Sequence, residues 1–278
     1  MRAFFMALLA AALLPATTSA QTLDRVMETG RIVIGFRTDA APLSYLGDNQ
    51  PSGYTPNICF ALAEKIGQHL GMAELEVIFQ PVDTEDRFDK VVQGEIDLLC
   101  GAATITLSRQ EIVDFSIPVY VDGATVALKA DGPESLAELA GMKIGVRSGT
   151  TTLEALENSL EAQNIDAEVV QFADHPSGLA ALEGDVVQAY FADQSILMNM
   201  IIQKENASDF KVLDELLTVE KHGLAMARGD SDFRLVVDRG LSQMFRSGSI
   251  RKTFEQTVPG ATPGFALEAM FLLSPTLP

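Results

Sequence analysis

The sequence predicts an α/β protein with two similar lobes, and three observations lead to this prediction. Short β-branched and apolar runs alternate with helical stretches, which is typical of parallel β-α-β units. The run at 30–37 (GRIVIGFR) is echoed at 141–147 (GMKIGVR), each a strand that leads into a loop and a helix. The apolar content of 47% excludes a mostly disordered chain. Two such units imply two lobes with a cleft between them.

The first unit is marked by β-branched strands and one amphipathic helix. Ile58, Leu62 and Ile66 fall on one face of that helix, together with Leu70. The predicted elements are strands at 31–36, 76–79 and 95–100 and helices at 57–70 and 86–93.

The second unit repeats this pattern in the second half of the chain. The predicted elements are strands at 141–147, 167–172 and 187–191, a helix at 177–183 and a final helix at 265–273. Ligands of open parallel sheets bind beyond the carboxyl ends of the strands. The loops after Phe36, Cys100, Val146 and Phe191 are therefore where a site is expected.

The first twenty residues carry the features of a secretory signal peptide. Arg2 provides a positive start, and the apolar run from Phe4 to Leu14 is shorter than the roughly 20 residues that a membrane-spanning helix needs. Pro15 ends the run, and small residues precede a cleavage point before Gln21. We expect an exported protein, free in solution, with a retained membrane anchor as the alternative.

The net charge and the few cysteines and histidines narrow the range of partners. A formal net charge of −18 repels phosphate backbones, so nucleic acid is not an expected partner. Cys59 and Cys100 form an isolated pair, which in an oxidising compartment predicts a disulfide, with two buried free thiols as the alternative. Neither this pair nor the three histidines has the spacing of a zinc site, so no metal is expected.

The stretch from Gly94 to Arg109 carries the most informative chemistry. A predicted buried strand opens into small residues, which let backbone groups approach a ligand, and Thr104 adds a hydroxyl. Arg109 adds a planar guanidinium group that suits a carboxylate, since bidentate arginine–carboxylate contacts are among the stronger hydrogen bonds. The residues alone leave open that Arg109 caps a surface loop.

This stretch, continued by Asp114-Phe115-Ser116, resembles a signature of the bacterial extracellular solute-binding proteins that serve polar amino-acid ABC transporters. The similarity extends to 30–58 and 139–151 and runs in order over nearly all of the chain after residue 20. The positions of the two cysteines are most similar to the glutamate/aspartate-binding branch. The resemblance implies the two-lobed type II periplasmic binding protein fold, in which two hinge strands join mostly parallel sheets flanked by helices.

The resemblance also implies a division of the chain and a way of working. The implied segments are a signal peptide at 1–20, lobe one at 21–119 and 222–278, lobe two at 123–219, and hinge segments at 120–122 and 220–221. Closure of the lobes would enclose a free amino acid for delivery to a membrane-embedded ABC permease. The expected ligand is acidic, glutamate or aspartate, with another polar amino acid as the alternative. Such a binder is expected to be periplasmic and monomeric and to use no cofactor.

Matched position by position, the family pattern assigns four residues to the α-carboxylate of the ligand. Arg109 and Thr104 would hold it from lobe one. Thr150 and Thr151 would add hydroxyl and backbone N–H donors from the start of a lobe-two helix, where a helix N-terminus favours an anion. Simple N-capping is the alternative for both of these threonines.

The same pattern places the ammonium group of the ligand beside Asp193. A desolvated ammonium needs a carboxylate partner, and the backbone carbonyl of Ala102 would complete its shell. Capping of the helix that follows is the alternative for Asp193. Ala102 departs from the serine or threonine that relatives often carry at this position.

Three further residues are expected to select the side chain of the ligand. Arg37 stands where cation-selective relatives carry an acid, which predicts an anionic ligand side chain; its alternative is a surface pair with Asp39 or Asp48. His175 matches a histidine of the glutamate/aspartate branch, with a plain core or surface histidine as the alternative. Thr84 stands where many relatives have an aromatic residue, and its hydroxyl suits a polar ligand.

Two other classes of protein use a similar scaffold. Periplasmic cyclohexadienyl dehydratase resembles these binders, but it needs a general acid over its ligand, and the sequence shows no unassigned carboxylate for that role. No Ser-His-Asp set or nucleophile elbow is found either, so no catalytic residue is predicted. A receptor or channel domain is the other alternative, but the apolar stretch at 265–273 is too short to span a membrane.

Overall fold

The computed structural model describes residues 22–258 and 261–276, and the predicted signal peptide lies outside the described residues. The helices of this part are α1 (Thr22–Thr29), α2 (Tyr54–His69), α3 (Arg87–Val92), α4 (Leu107–Gln110), α5 (Thr151–Gln163), α6 (His175–Glu183), α7 (Gln194–Ile202), α8 (Ser231–Arg246), α9 (Ser249–Thr257) and α10 (Phe265–Leu273). Short 3₁₀ turns lie at Leu136–Leu139 and Ala207–Asp209. Within the described ranges, none of the helices combines the length and apolarity that crossing a membrane requires.

The strands alternate with these helices along most of the chain. They are β1 (Arg31–Arg37), β2 (Asp39–Ala40), β3 (Ser44–Gly47), β4 (Gln50–Ser52), β5 (Glu76–Val82), β6 (Leu98–Leu99), β7 (Val113–Phe115), β8 (Tyr120–Asp122), β9 (Ala124–Lys129), β10 (Lys143–Arg147), β11 (Glu168–Phe172), β12 (Ala189–Asp193), β13 (Phe210–Val212), β14 (Glu220–His222) and β15 (Ala225–Ala227).

The first large sheet has the order β5-β1-β6-β15-β7 and forms the centre of lobe one. β1 pairs in parallel with β5 and β6, whereas β15 pairs antiparallel with β6 and β7. Ile32 and Ile34 of β1 are fully buried in one core with Ile58, Leu62 and Ile66 of α2. Each such burial stabilises the fold by about 1.5–3 kcal/mol, so the predicted apolar stripe holds α2 on the sheet.

The second large sheet has the order β11-β10-β12-β9-β13 and forms the centre of lobe two. β10 pairs in parallel with β11 and β12, and β9 pairs antiparallel with β12. Val146 and Phe191 are buried against Leu156 of α5. Because β10 and β12 run in the same direction, their carboxyl ends and the starts of α5 and α7 lie at one edge of the sheet.

Two strands connect the lobes. β8 leads the chain from the first sheet into the second, and β14 leads it back. They pair antiparallel, with Tyr120 opposite His222 and Asp122 opposite Glu220. The predicted α/β fold with two sheets and two connecting strands is confirmed, and the numerical limits given above for the lobes remain predictions.

The limits of several elements differ from those the sequence patterns predicted. α6 begins at His175 instead of residue 177, because Asp174 accepts the Ser177 backbone N–H at 2.7 Å and caps the helix earlier. β5 extends to Val82, because its pairing with β1 continues as far as Arg37. The neighbouring strand β1 therefore decides where β5 ends, and a local sequence pattern does not contain that partner.

A disulfide joins Cys59 of α2 to Cys100, which directly follows β6. The two Cα atoms are 6.4 Å apart, and both residues are fully buried. The predicted bridge is confirmed, and the alternative of two free thiols is excluded. The bridge ties α2 to the loop that carries Ala102 and Thr104.

Candidate ligand-binding site

A polar cavity lies between the two lobes, at the carboxyl ends of their parallel strands. Eight of the nine predicted ligand residues line it: Arg37, Ala102, Thr104, Arg109, Thr150, Thr151, His175 and Asp193. Thr84 is the exception, because it lies where the lobes touch and donates its hydroxyl to the Ser148 carbonyl at 3.0 Å. The fold thus brings together residues that are up to 156 positions apart in the sequence, from Arg37 to Asp193.

Arg109 and Thr104 lie together on the lobe-one side of the cavity. Thr106 starts α4 by accepting the Arg109 backbone N–H at 3.2 Å. The Arg109 guanidinium then turns back, so that Nη1 donates to the Thr104 carbonyl at 2.9 Å, and it lies 5.2 Å from the centre of the Phe88 ring. Arg109 thus lines the cavity and also binds the loop that carries Thr104.

A hinge glutamate, which the sequence analysis did not single out, binds the threonines Thr104 and Thr151. Glu220 Oε2 accepts the Thr151 hydroxyl at 2.8 Å and also the Thr104 hydroxyl, while Oε1 accepts the Thr218 hydroxyl at 2.7 Å. Burial opposes ionisation of Glu220, but these hydroxyls outweigh it and hold its pKa below the ordinary value. In this structure the hydroxyl protons of Thr104 and Thr151 are thus directed at Glu220.

Thr150 both lines the cavity and caps α5. Its hydroxyl accepts the Leu153 N–H at 3.2 Å and donates to the Arg147 carbonyl at 2.8 Å, so the capping alternative is observed for this residue. Gly149, before it, has a φ of 65°, which favours glycine. A Cβ at Gly149 would lie 3.1 Å from the Thr84 hydroxyl oxygen, so glycine also lets the start of α5 approach lobe one.

Asp193 ends β12 and precedes α7, but its side chain does not cap that helix. The carboxylate instead accepts the Thr152 hydroxyl at 3.4 Å and lies 3.7 Å from His222 Nε2. Burial raises the pKa of Asp193, and His222 opposes this in part. Because so few donors reach this buried carboxylate, a ligand ammonium would relieve the cost of its burial.

Arg37 ends β1 beside the cavity and is paired with Asp39. Its Nε and Nη2 donate to Asp39 Oδ1 at 2.9 and 2.6 Å. This pairing was the alternative to ligand binding, but it lies inside the protein instead of at the surface, because the two side chains are only 3% and 9% exposed. Burial alone would raise the pKa of Asp39, but Arg37, and after it His175 and Arg147, holds it below the ordinary value.

His175 is the first residue of α6 and is buried beside the cavity. Its Nδ1 lies 2.9 Å from the Tyr190 hydroxyl. Burial, and after it the Arg37 guanidinium, lowers the pKa of His175 to about 3, so the ring is neutral near pH 7. In the tautomer in which the Tyr190 hydroxyl donates to Nδ1, Nε2 carries the proton and can donate to a ligand oxygen.

Arg87 is a cavity residue that the sequence analysis missed. It starts α3 and is only 2% exposed. Nη2 donates to the Gly149 carbonyl across the cleft at 3.2 Å, whereas Nε and Nη1 have no hydrogen-bond partner among the described residues. Burial, and after it the nearby Arg109, lowers the pKa of Arg87. A buried cation with unpaired N–H groups is costly unless an anion binds it, so Arg87 marks a place for negative charge.

Arg147 is the second arginine that the analysis missed. It ends β10 as Arg37 ends β1, and both line the cavity. The repeat between 30–37 and 141–147 contains both residues, so this echo was a signal for Arg147. For Arg87 the signal was its place directly after the loop that follows β5. This loop lies at the same edge of the sheet as the loop after β1.

Two lobes joined by paired hinge strands around a polar cavity define a solute-binding protein of the type II periplasmic class. The chain belongs to the bacterial extracellular solute-binding proteins, family 3, whose family model matches residues 32–258. This confirms the family resemblance seen in the sequence.

Several known proteins are similar to this chain over most of its length. The L-glutamate/L-aspartate-binding protein of Pseudomonas aeruginosa is 28% identical over 92% of this chain and 86% of its own. The glutamate/glutamine/aspartate/asparagine-binding protein of Rhodobacter capsulatus is 30% identical over 84% and 70%. The solved structure of an ancestral amino acid-binding protein, a precursor of cyclohexadienyl dehydratase, has a TM-score of 0.74 and 26% identity over 85% of this chain and 99% of that one. All three are binding proteins.

Proposed function

We propose that this chain binds a free acidic amino acid, glutamate or aspartate, and delivers it to an ABC permease in the membrane. The buried Arg87 guanidinium carries the proposal of an acidic ligand, because its Nε and Nη1 have no partner among the described residues. The same cavity offers Arg109 to an α-carboxylate and Asp193 to an ammonium. An acidic amino acid has two carboxylates and one ammonium, so it would pair with all three.

The α-amino acid end of the ligand would lie between the loop after β6 and the starts of α5 and α7. Arg109 would bind the α-carboxylate, with backbone N–H groups at the start of α5 as further donors. Thr104 and Thr151 would contribute at the edge of this site, where Glu220 orients their hydroxyls. Asp193 and the Ala102 carbonyl would take the ammonium.

The side-chain carboxylate of the ligand would bind Arg87, with His175 Nε2 as a neutral donor. Arg37 would have a smaller share, because Asp39 already balances its charge at 2.6 Å. The proposed basis of acidic selectivity therefore moves from Arg37 to Arg87. Thr84 would act at the contact between the lobes, where its hydroxyl meets the Ser148 carbonyl.

The names of the relatives support the same class of ligand, since those of Pseudomonas aeruginosa and Rhodobacter capsulatus are named for glutamate and aspartate among their ligands. The family and the predicted signal peptide support a place in the periplasm, where we expect a monomer. We propose binding without turnover, because the relatives matched over most of the chain are named as binding proteins.

The test is a thermal-shift and calorimetric screen of the protein starting at Gln21 against the twenty amino acids, with prephenate and arogenate added. Ligand at a hundred times its dissociation constant adds about 2.7 kcal/mol of stability to the folded form. We expect stabilisation by glutamate or aspartate and none for the variant Arg109→Ala. Stabilisation by neutral or basic amino acids alone would refute the acidic ligand, and turnover of prephenate or arogenate would refute a binding protein.

A further inference from the structure

Arg147 belongs to lobe two, but most of its hydrogen bonds reach lobe one. Nε donates to Asp39 Oδ2 at 2.7 Å, Nη2 donates to Asp83 Oδ1 at 2.8 Å, and Nη1 donates to the Thr84 hydroxyl. Within its own lobe, Nη1 also donates to the Ser148 carbonyl at 3.0 Å. The side chain is 3% exposed. Protein acceptors thus occupy each of its three nitrogens.

The arginines at equivalent ends of the two repeated strands meet at one carboxylate. Asp39 accepts Arg37 on Oδ1 and Arg147 on Oδ2. Arg37 and Asp39 are in the same lobe, so their contact is independent of lobe closure. The contact between Arg147 and Asp39 crosses the cleft and exists only while the cleft is closed.

Arg147 therefore differs from the other cavity arginine that the sequence analysis missed. Arg87 donates to one protein carbonyl, and its Nε and Nη1 have no hydrogen-bond partner in the described part of the chain. Arg147 instead donates from each of its nitrogens to a lobe-one acceptor, Asp39, Asp83 or Thr84. Because all three acceptors belong to lobe one, separation of the lobes would break the three contacts together.

We propose that Arg147 is a closing residue, which bonds to Asp39, Asp83 and Thr84 across the shut cleft and thereby sets how long any ligand stays bound. A ligand first meets the open form, so these contacts affect its association rate only through the fraction of ligand-free molecules that they hold closed. Its release requires opening, which the contacts oppose. Because these contacts stabilise the closed complex whichever ligand it encloses, Arg147 strengthens binding of every ligand by a similar factor.

The first experiment needs no ligand and measures the distance between the lobes by energy transfer. Dyes are attached through Gln93→Cys in lobe one and Glu157→Cys in lobe two, both exposed, while Cys59 and Cys100 are bonded and buried. Arg147→Met is expected to shift the ligand-free distribution to longer distances. The control Lys143→Met removes a pair with Glu168, 3.1 Å away in the same lobe, and is expected to leave the distribution unchanged. Equal distributions for the original chain and Arg147→Met would overturn the proposal.

The second experiment rests on the proposed function and measures association and dissociation of glutamate and aspartate by stopped flow. Arg147→Met is expected to raise the dissociation rate about 5- to 100-fold for both ligands, with the association rate changed less than about twofold. Asp83→Asn is a second variant, since Asp83 is 58% exposed and its loss does not threaten the fold. Its effect is expected to vanish in the Arg147→Met background.

An unchanged dissociation rate, or a change in the preference between glutamate and aspartate, would overturn Arg147 as a general closing residue. If neither glutamate nor aspartate bound the original chain, the proposed function would be refuted instead. The ligand-free distances would still decide the role of Arg147 in that case.

Discussion

Thr151 of lobe two donates its hydroxyl to Glu220 of hinge strand β14 at 2.8 Å. The same carboxylate oxygen accepts the hydroxyl of Thr104 in lobe one, and these two hydroxyls are 3.1 Å apart. One hinge carboxylate therefore links both lobes at the place where the α-carboxylate of a ligand is proposed to bind. The two threonines contribute to closure of the cleft as well as to the lining of the cavity.

Replacing Glu220 with alanine is expected to weaken ligand binding about tenfold, because the link between the lobes is lost. The effects of Glu220→Ala and Thr151→Val on the binding free energy are expected to be coupled by about 0.5–3 kcal/mol. The measurement is a double-mutant cycle of Glu220→Ala and Thr151→Val by calorimetry. The control Glu220→Gln keeps an acceptor oxygen and is expected to lose less affinity. If Thr151→Val weakened binding equally with and without Glu220, the hydroxyl would act on the ligand directly.

Arg87→Met is expected to stabilise the ligand-free protein while it abolishes acidic selectivity. The substitution removes a buried cation that has unpaired N–H groups, so the free energy of unfolding should rise by about 1–2 kcal/mol in urea titrations. Affinity for glutamate should fall about 100-fold, with a much smaller change for glutamine.

The matched control for Arg87→Met is Arg25→Met. Arg25 is paired with Asp97 in an ion pair on lobe one, so its removal should lower stability and leave ligand binding unchanged. A loss of stability in Arg87→Met would mean that the buried guanidinium is satisfied in the free protein and would remove the basis for an acidic ligand.

Arg109→Ala and Arg37→Ala are expected to have different effects on ligand binding. Arg109→Ala should abolish binding of every amino acid, because it removes the proposed partner of the α-carboxylate. The sequence alone predicts that Arg37→Ala weakens only acidic ligands. The structure predicts that binding of all ligands weakens and that stability falls as well. The reason is that the buried Asp39 would lose Arg37 and keep only Arg147 as an ion-pair partner in the described chain. Calorimetry with glutamate and glutamine, and urea unfolding, distinguish the two expectations.

Ligand affinity is expected to fall on acidification. Burial raises the pKa of Asp193 in the empty cleft above the ordinary 3.8, and a bound ammonium would favour the carboxylate and lower that pKa again. The complex then binds fewer protons than the free protein, so the dissociation constant rises as the pH falls toward and below the raised pKa.

The measurement is calorimetric titration of glutamate from about pH 8 down to about pH 4, close to the ordinary pKa of an aspartate, in two buffers of different ionisation enthalpy. Proton release on binding is expected to grow as the pH is lowered. An affinity that is constant over this range, with no proton release, would argue against Asp193 as the partner of the ammonium.

Loss of the disulfide is expected to lower the free energy of unfolding by about 2–4 kcal/mol, because Cys59 and Cys100 close a loop between positions 41 apart. The corresponding fall in melting temperature is about 5–15 °C for a chain of this size. The measurement is thermal unfolding of the paired variant Cys59→Ala, Cys100→Ala, with the original chain under reducing and oxidising conditions as the control. An unchanged melting temperature would show that packing of α2 alone holds this region.

Most elements of the fold could be predicted because their signals are local. The stripe of Ile58, Leu62 and Ile66 specifies one buried face of α2 wherever that helix lies, and all three are fully buried. The limits of β5 and α6 were less predictable, since a neighbouring strand and the Asp174 cap decide them. Local apolar patterns record which side of an element is buried but not which partner covers it.

By itself, the sequence determined the family, the two-lobed α/β organisation and eight residues of the cavity lining, because these follow from the repeated strands and from the family resemblance. It also determined the disulfide, because an isolated cysteine pair in an exported chain is expected to be oxidised. Only the tertiary structure decided how the charges are shared. It pairs Arg37 with Asp39, places Glu220 between two threonines and carries Arg147 across the cleft. It also leaves two nitrogens of Arg87 without a hydrogen-bond partner among the residues it describes. The reason is that the pairing of a buried charge depends on which distant groups the closed lobes bring within about 3 Å, and the order of residues along the chain does not contain that distance.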